Sequence, residues 1–220
     1  MFEFDVYPTN PELAAVDEYS IKTKTDYLKK YFEIIESVFE DESKSLSKLI
    51  RNEDEKTKSD IDDRNYDYRY CDSLMEIEFV YLRMHRYASI LALYSFLESS
   101  MSKICHQKKL ELNLPISAEE IKGDGIVKYK KYLSEYCKSD FSTINKIWSN
   151  LVTLNKVRNC IMHCSGDASK IKRTDDFIKL VNKTKELSFI EKNLIMISSK
   201  FVLDSIKNIT DFLDYLIQKK

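Results

Sequence analysis

"YASILALYSFLESSMSKIC", residues 87–105, is apolar nearly all the way round a helical wheel. That pattern suits a helix enclosed at the centre of a bundle, because a surface helix keeps one polar face. Its most apolar run, "ASILALYSFL", is too short to cross a bilayer and continues into polar residues, so no membrane span is predicted. The helix that carries it extends over roughly 67–110, and Pro115 closes it.

The segments on either side read as further helices. Over 20–57 the chain is heavily charged, yet Leu28, Phe32, Ile35, Phe39, Leu46 and Leu49 recur at three-to-four-residue steps, which predicts an amphipathic helix with one narrow apolar stripe. Asn10 followed by Pro11 is a helix-opening signal upstream of it. The very polar 52–65 reads as a loop or a frayed helix end. Downstream, "SAEEIKGDG" predicts a short helix opened by a capping box, Ser117 to Glu120, and ending near Gly123 and Gly125. Helices are predicted over 126–138 and 143–164, the second stopped by Gly166, and again in "TDDFIKLVNKTKE". "LSFIEKNLIMIS", residues 187–198, alternates β-favouring residues around a Glu-Lys-Asn turn and predicts a short hairpin. A terminal helix follows, its apolar face made by Phe201, Ile206, Ile209, Phe212, Leu213 and Leu216.

The expected fold is therefore all-α, a bundle of long antiparallel helices with one small C-terminal β-hairpin. Only three glycines and three prolines punctuate 220 residues, which excludes collagen-like, disordered and many-turned all-β chains. The length fits a single domain, 1–220, with no internal repeat and no low-complexity linker. Within it, 1–65 is an acidic helical extension, 66–165 a core and 166–220 the hairpin and last helix.

The net charge of -1 conceals an asymmetry. Residues 1–65 hold 10 Lys/Arg against 17 Asp/Glu, whereas 156–185 hold 8 against 3. A local basic region suits a polyanion held at one place, although on charge alone a solvated lysine-rich face is the default reading. Cys71, Cys105, Cys137, Cys160 and Cys164 are odd in number and irregularly spaced with no secretory leader before them, so a disulfide framework is not expected and a cytoplasmic location is.

The basic region surrounds "LNKVRNCIMHCSG", residues 154–166. On a helical wheel Ile147, Leu151, Leu154 and Met162 share a sector, and Arg158 falls inside it. An unpaired buried guanidinium is costly, so that stripe faces either a carboxylate, Glu98 being the candidate, or a cleft where an anion sits. Asn159 and His163, four residues apart, share a flank beside it, so the three polar groups are expected to converge on one groove. In the last turn of its helix, His163 also feels the negative end of the helix dipole.

The sequence Arg158-Asn159-Cys160-Ile161-Met162-His163 resembles the RxxxxH signature, commonly RNxxxH, of the HEPN superfamily (higher eukaryotes and prokaryotes nucleotide-binding domains). The likeness covers about residues 75–165: residues 86–105 are similar to the earlier apolar helix of that family, with its acidic residue at Glu98. The resemblance implies an all-α HEPN bundle, a homodimer that pairs its motif helices, and a metal-independent endoribonuclease. It also implies service in toxin-antitoxin, abortive-infection or other antiviral defence systems, with an antitoxin or another defence protein as partner. In chemical terms, RNA supplies its own 2′-hydroxyl nucleophile. His163 would move the proton, Arg158 would hold the scissile phosphate, Asn159 would orient one or the other, and Glu98 would support the arginine. Lys156, Lys170, Lys172 and Arg173 would bind the RNA. No cofactor or metal is expected, since no Gly-rich phosphate loop or HExxH helix exists and Cys160, His163 and Cys164 make a poor zinc set.

The alternative is a catalytically inactive HEPN module that binds nucleic acid, a nucleotide or a partner protein, and a third reading is an antitoxin-bound assembly subunit. Two weaker signals have bland explanations beside functional ones. His85 in "YLRMHRY" extends an RNA path or lies on a partly exposed helix face. Tyr129, Tyr132 and Tyr136 among Lys128, Lys130 and Lys131 form a stacking strip for single-stranded RNA or a helix face packed on the core.

Overall fold

The computed structural model describes residues 17–191 and 193–218 apart from 57–70. Asn10, Pro11, the end of the polar stretch after residue 56, and Lys192 of the hairpin turn lie outside the described residues. Six helices are labelled here in chain order: α1 (Glu18–Lys56), α2 (Leu82–Glu111), α3 (Gly125–Glu135), α4 (Asn145–Cys164), α5 (Thr174–Lys183) and α6 (Ser199–Gln218), with strands β1 (Leu187–Ile190) and β2 (Leu194–Ile197) before α6. The protein is an all-α bundle with a small antiparallel C-terminal hairpin.

Local chemistry explains where the elements begin and end. Asp17 opens α1 by accepting the Ser20 backbone N–H at 2.6 Å, while its own N–H donates to the Ser20 hydroxyl at 3.2 Å. Helical residues 71–76 lead through one π-turn, Ile77–Tyr81, directly into α2. The Ser117–Glu120 capping box forms, with the Ser117 N–H on Glu120 Oε1 at 2.7 Å, but it starts only a single 3₁₀ turn, Ala118–Glu120. In the hairpin Leu187 pairs with Ile197 and Phe189 with Ile195, so Leu187, Ile195 and Ile197 are buried on one face.

Helix α6 packs against α1, α2 and α4, while α2 packs against α1, α3, α4 and α6. Helices α1 and α4 therefore flank the α2–α6 pair. Ile90, Leu93, Leu97, Met101 and Ile104 turn inward from α2, and Ile206, Ile209, Phe212 and Leu213 of α6 join the same apolar cluster. The outward side of α2 differs from expectation. Ala88, Ala92, Ser95 and Ser99 are exposed there, so the helix is not enclosed all the way round. Their small side chains add little apolar area to water.

The stripe of α1 is also only partly as expected: Phe32 and Leu46 are buried, but Leu49 is exposed. A polar pair sits inside the stripe instead. Glu36 is buried and takes Arg86 of α2 through both carboxylate oxygens, Nε lying 3.0 Å from Oε1 and 3.3 Å from Oε2. Arg86 Nη1 then donates to the Ile197 carbonyl at 3.0 Å, so one guanidinium ties α1, α2 and β2 together.

His85 lies beside this pair, stacked on Phe32 at 5.0 Å between ring centroids and interplanar 9°. Neither the expected partly exposed helix face nor the RNA path describes it: the side chain is buried against α1. Burial is the main cause that lowers its pKa from the ordinary 6.5; the Phe32 carbonyl and Glu36 raise it, and Arg86 lowers it further. The unfolded chain thus takes up a proton near pH 6.5 that the folded protein takes up only at lower pH. This stability contribution is complete above the unfolded pKa and is lost as pH falls through the window below 6.5. Urea midpoints of the wild type are expected to fall across that window more steeply than those of His85→Phe, which keeps the stacking and removes the titration. Parallel pH profiles would refute this.

Candidate nucleic-acid site at the end of α4

Helix α4 presents two different faces. Leu151, Leu154, Val157 and Cys160 are buried in the core, whereas Asn159 and His163 are exposed and Met162 is 52% exposed. Met162, expected in the apolar sector, is thus at the surface, while its neighbours Cys160 and Ile161 take the buried positions in that turn.

Arg158 is half-buried. Its guanidinium carbon lies 4.6 Å from the ring centroid of Tyr94 on α2, and its Nη1 donates to Asn159 Oδ1 at 2.9 Å. Among the described residues no ion pair joins Arg158 to Glu98 or to any other carboxylate. The cation is accommodated by a π face, a solution outside the choice between carboxylate and anion cleft. One hydrogen bond leaves four of the five guanidinium donors to other partners.

Tyr94 itself is buried, its hydroxyl accepting the Ile126 N–H. Burial is the main reason its phenol titrates above the ordinary range; the Ile126 N–H opposes this, Glu98 adds to it and Arg158 opposes it. Glu98 and Arg158 therefore act on the same ring with opposite electrostatic signs without pairing. Gly125 at the start of α3 closes over this group: with φ +55, a Cβ there would lie 2.6 Å from the Tyr94 hydroxyl and 3.3 Å from Glu98 Oε1. Only glycine fits.

The other flank of α4 faces a cavity of about 540 Å³. Lys156, Asn159 and His163 line it from α4, and Lys170, Lys172 and Arg173 line it from the segment that follows. All four lysine and arginine residues expected to hold RNA are thus brought to one concavity with the histidine. Arg158 is not among the residues lining it. The three polar groups do not converge in one groove; Arg158 is linked to it through Asn159. Glu98 borders a separate surface depression with Ser95, Ser99, Ser102 and Lys103.

The cavity floor is apolar, made by Cys160, Ile171 and Phe177. Burial pushes the Cys160 thiol up to about 12, so it stays protonated and serves as packing. Among the described residues no group of three or more His, Cys, Asp or Glu side chains is placed to hold a metal ion.

The hairpin holds the far wall in place. Ser165 takes a left-handed conformation, φ 53, and the Gly166 N–H returns to the Cys160 carbonyl at 3.1 Å to end α4. The Ile195 N–H donates to the Gly166 carbonyl at 3.0 Å and the Ala168 N–H to Asn193 at 2.9 Å, so 166–168 run along β2. Asp167 then accepts the Ser169 N–H at 3.0 Å and lies 3.4 Å from Lys170, turning the chain back towards His163. Tyr87 of α2 locks the junction by donating to the Ile195 carbonyl at 2.6 Å. Its hydroxyl occupies the space that a Cβ on Gly166, φ +82, would need.

Neither Tyr94 nor Asp176, the latter also lining the cavity, is marked as a site residue by any sequence motif. Each becomes a neighbour of the motif only through packing, Tyr94 from α2 and Asp176 from the first turn of α5. The tyrosines of α3 do not make a continuous strip. Tyr132 is buried, with its hydroxyl on the Ile116 carbonyl at 3.0 Å, while Tyr136 is exposed. Lys130 lies 4.5 Å from the Trp148 ring centroid.

Comparison with family models, with curated proteins and with solved structures finds no match to the chain. Among the described residues no helix is long and apolar enough to cross a membrane.

Proposed function

We propose that the chain is a HEPN-type, metal-independent endoribonuclease that works in the cytoplasm in a toxin-antitoxin, abortive-infection or other anti-phage system. The observation that carries this is the shared cavity: His163 and Asn159 of the Arg-Asn-x-x-x-His segment line it together with Lys156, Lys170, Lys172 and Arg173. A titratable group in a cation-lined concavity suits attack of a ribose 2′-hydroxyl on the adjacent phosphorus. The 2′-oxygen forms a bond to phosphorus, the bond to the 5′-oxygen breaks, and the products are a 2′,3′-cyclic phosphate and a 5′-hydroxyl end. His163 exchanges the proton. Asn159 orients the substrate, and Arg158, moving off Tyr94 while bonded to Asn159, stabilises the phosphorane charge. Glu98 acts on Tyr94 beneath the arginine.

One histidine cannot be base and acid at once, which favours a homodimer with two motif helices at one cleft. The exposed small residues Ala88, Ala92, Ser95 and Ser99, with Met84 and Met162 exposed nearby in sequence or on α4, offer a face on which a second copy could pack closely. An antitoxin or another defence-system protein would compete for or cover the same surface.

The test is incubation of the full chain with single-stranded and structured RNAs in excess EDTA. Cleavage to 2′,3′-cyclic phosphate ends is expected. Intact RNA in every case would transfer support to the inactive binding module, which one observation already favours: Arg158 rests on Tyr94, outside the cavity.

A further inference from the structure

The cavity beside His163 is more than a basic surface. Its floor is apolar, its volume of about 540 Å³ suits a single nucleotide unit, and Lys156, Lys170, Lys172 and Arg173 line it. Set among them is one carboxylate, Asp176, in the first turn of α5. No ion pair joins Asp176 to the lysines or the arginine around it among the described residues.

We propose that this cavity is a base-recognition subsite that selects guanine, and that Asp176 is the specificity-determining residue. The inference rests on the ribonuclease proposal and adds a substrate class to it. The argument is one of donor and acceptor matching. Lysine and arginine only donate, so Lys156, Lys170, Lys172 and Arg173 suit the phosphate and the O6 and N7 acceptors of guanine. An ionised carboxylate only accepts, and it accepts best from two parallel N–H groups.

Among the four RNA bases, guanine alone carries two adjacent donors, N1–H and the N2 amino group, on its Watson–Crick edge. Adenine and cytosine place an acceptor beside their amino group, and uracil flanks its single N–H with two carbonyls. Each of these would set a lone pair against the second carboxylate oxygen. Asn159, which also lines the cavity, has its Oδ1 engaged by Arg158. The apolar floor of Cys160, Ile171 and Phe177 provides the surface on which the flat base rests.

Acidic residues in a first turn also favour a helix through its dipole. Asp175, in the same turn but not among the cavity residues, separates that effect from recognition. The probes are labelled 2′-fluoro hexanucleotides, which lack the nucleophile and stay intact, each carrying G, A, C or U at one position in a common context. Binding to the full chain is expected to be about tenfold tighter for the G probe. Asp176→Asn should bring the four probes to near equality, whereas Asp175→Asn should keep the preference.

Equal affinity of the wild type for all four probes, or a G preference that Asp176→Asn leaves intact, overturns the inference. In either case cleavage in EDTA still reports independently on the ribonuclease. Failure of every probe to bind also overturns it, and a simultaneous failure to cleave RNA would remove the nuclease proposal as well.

Discussion

His163→Ala is expected to slow RNA cleavage by about 10²- to 10⁴-fold, the usual worth of a positioned acid or base. The side chain is exposed at the cavity, so its truncation removes no core contact. Thermal midpoint and sedimentation should therefore remain those of the wild type, and the loss should be seen under single-turnover conditions with the protein in excess of the RNA and of the dissociation constant. Arg158→Ala is a poor substitute for this experiment because it also uncovers Tyr94. A His163→Ala protein that cuts at the wild-type rate would sink the assignment, whatever the fate of the arginine.

Glu36→Ala should produce the largest loss of stability, about 3–5 kcal/mol. The reason is less the strength of the ion pair than what remains when half of it is gone. Arg86, with a side chain 17% exposed, would keep only the Ile197 carbonyl as a partner for a guanidinium that α1 has largely shut off from water. The double variant Glu36→Ala/Arg86→Met removes both charges and should recover part of that loss. Urea denaturation of Glu36→Ala, Arg86→Met and the double variant measures it. A cost under about 1 kcal/mol for Glu36→Ala, the value of an exposed pair, would show that α1 is not held by this contact.

These two experiments probe parts of the chain with very different legibility. The course of the helices was readable because helix formation leaves local marks. Ile90, Leu93, Leu97, Met101 and Ile104 repeat at the helical period, Gly166 ends α4, and the alternation in 187–198 announces the hairpin. The basic residues of the site were readable for a similar reason. Lys170, Lys172 and Arg173 follow the motif within one short loop, which cannot carry them far from His163.

The sequence by itself therefore determined the order of the helices, the position of the hairpin and the grouping of a histidine with four cations. Tertiary structure alone decided what each polar group meets. A helical wheel places Arg158 in the inward sector, but whether it finds Glu98 or Tyr94 depends on how α2 is rotated and shifted against α4. The answer is the aromatic ring. By the same rule His85, which a charged neighbourhood would place at the surface, is covered by Phe32 from a helix 53 residues away in sequence. Asp176 enters the cavity only because the hairpin and Tyr87 fold the chain back after Gly166. Periodicity reports a direction from one helix axis. The partner in that direction is set by long-range packing, to which all the helices contribute together.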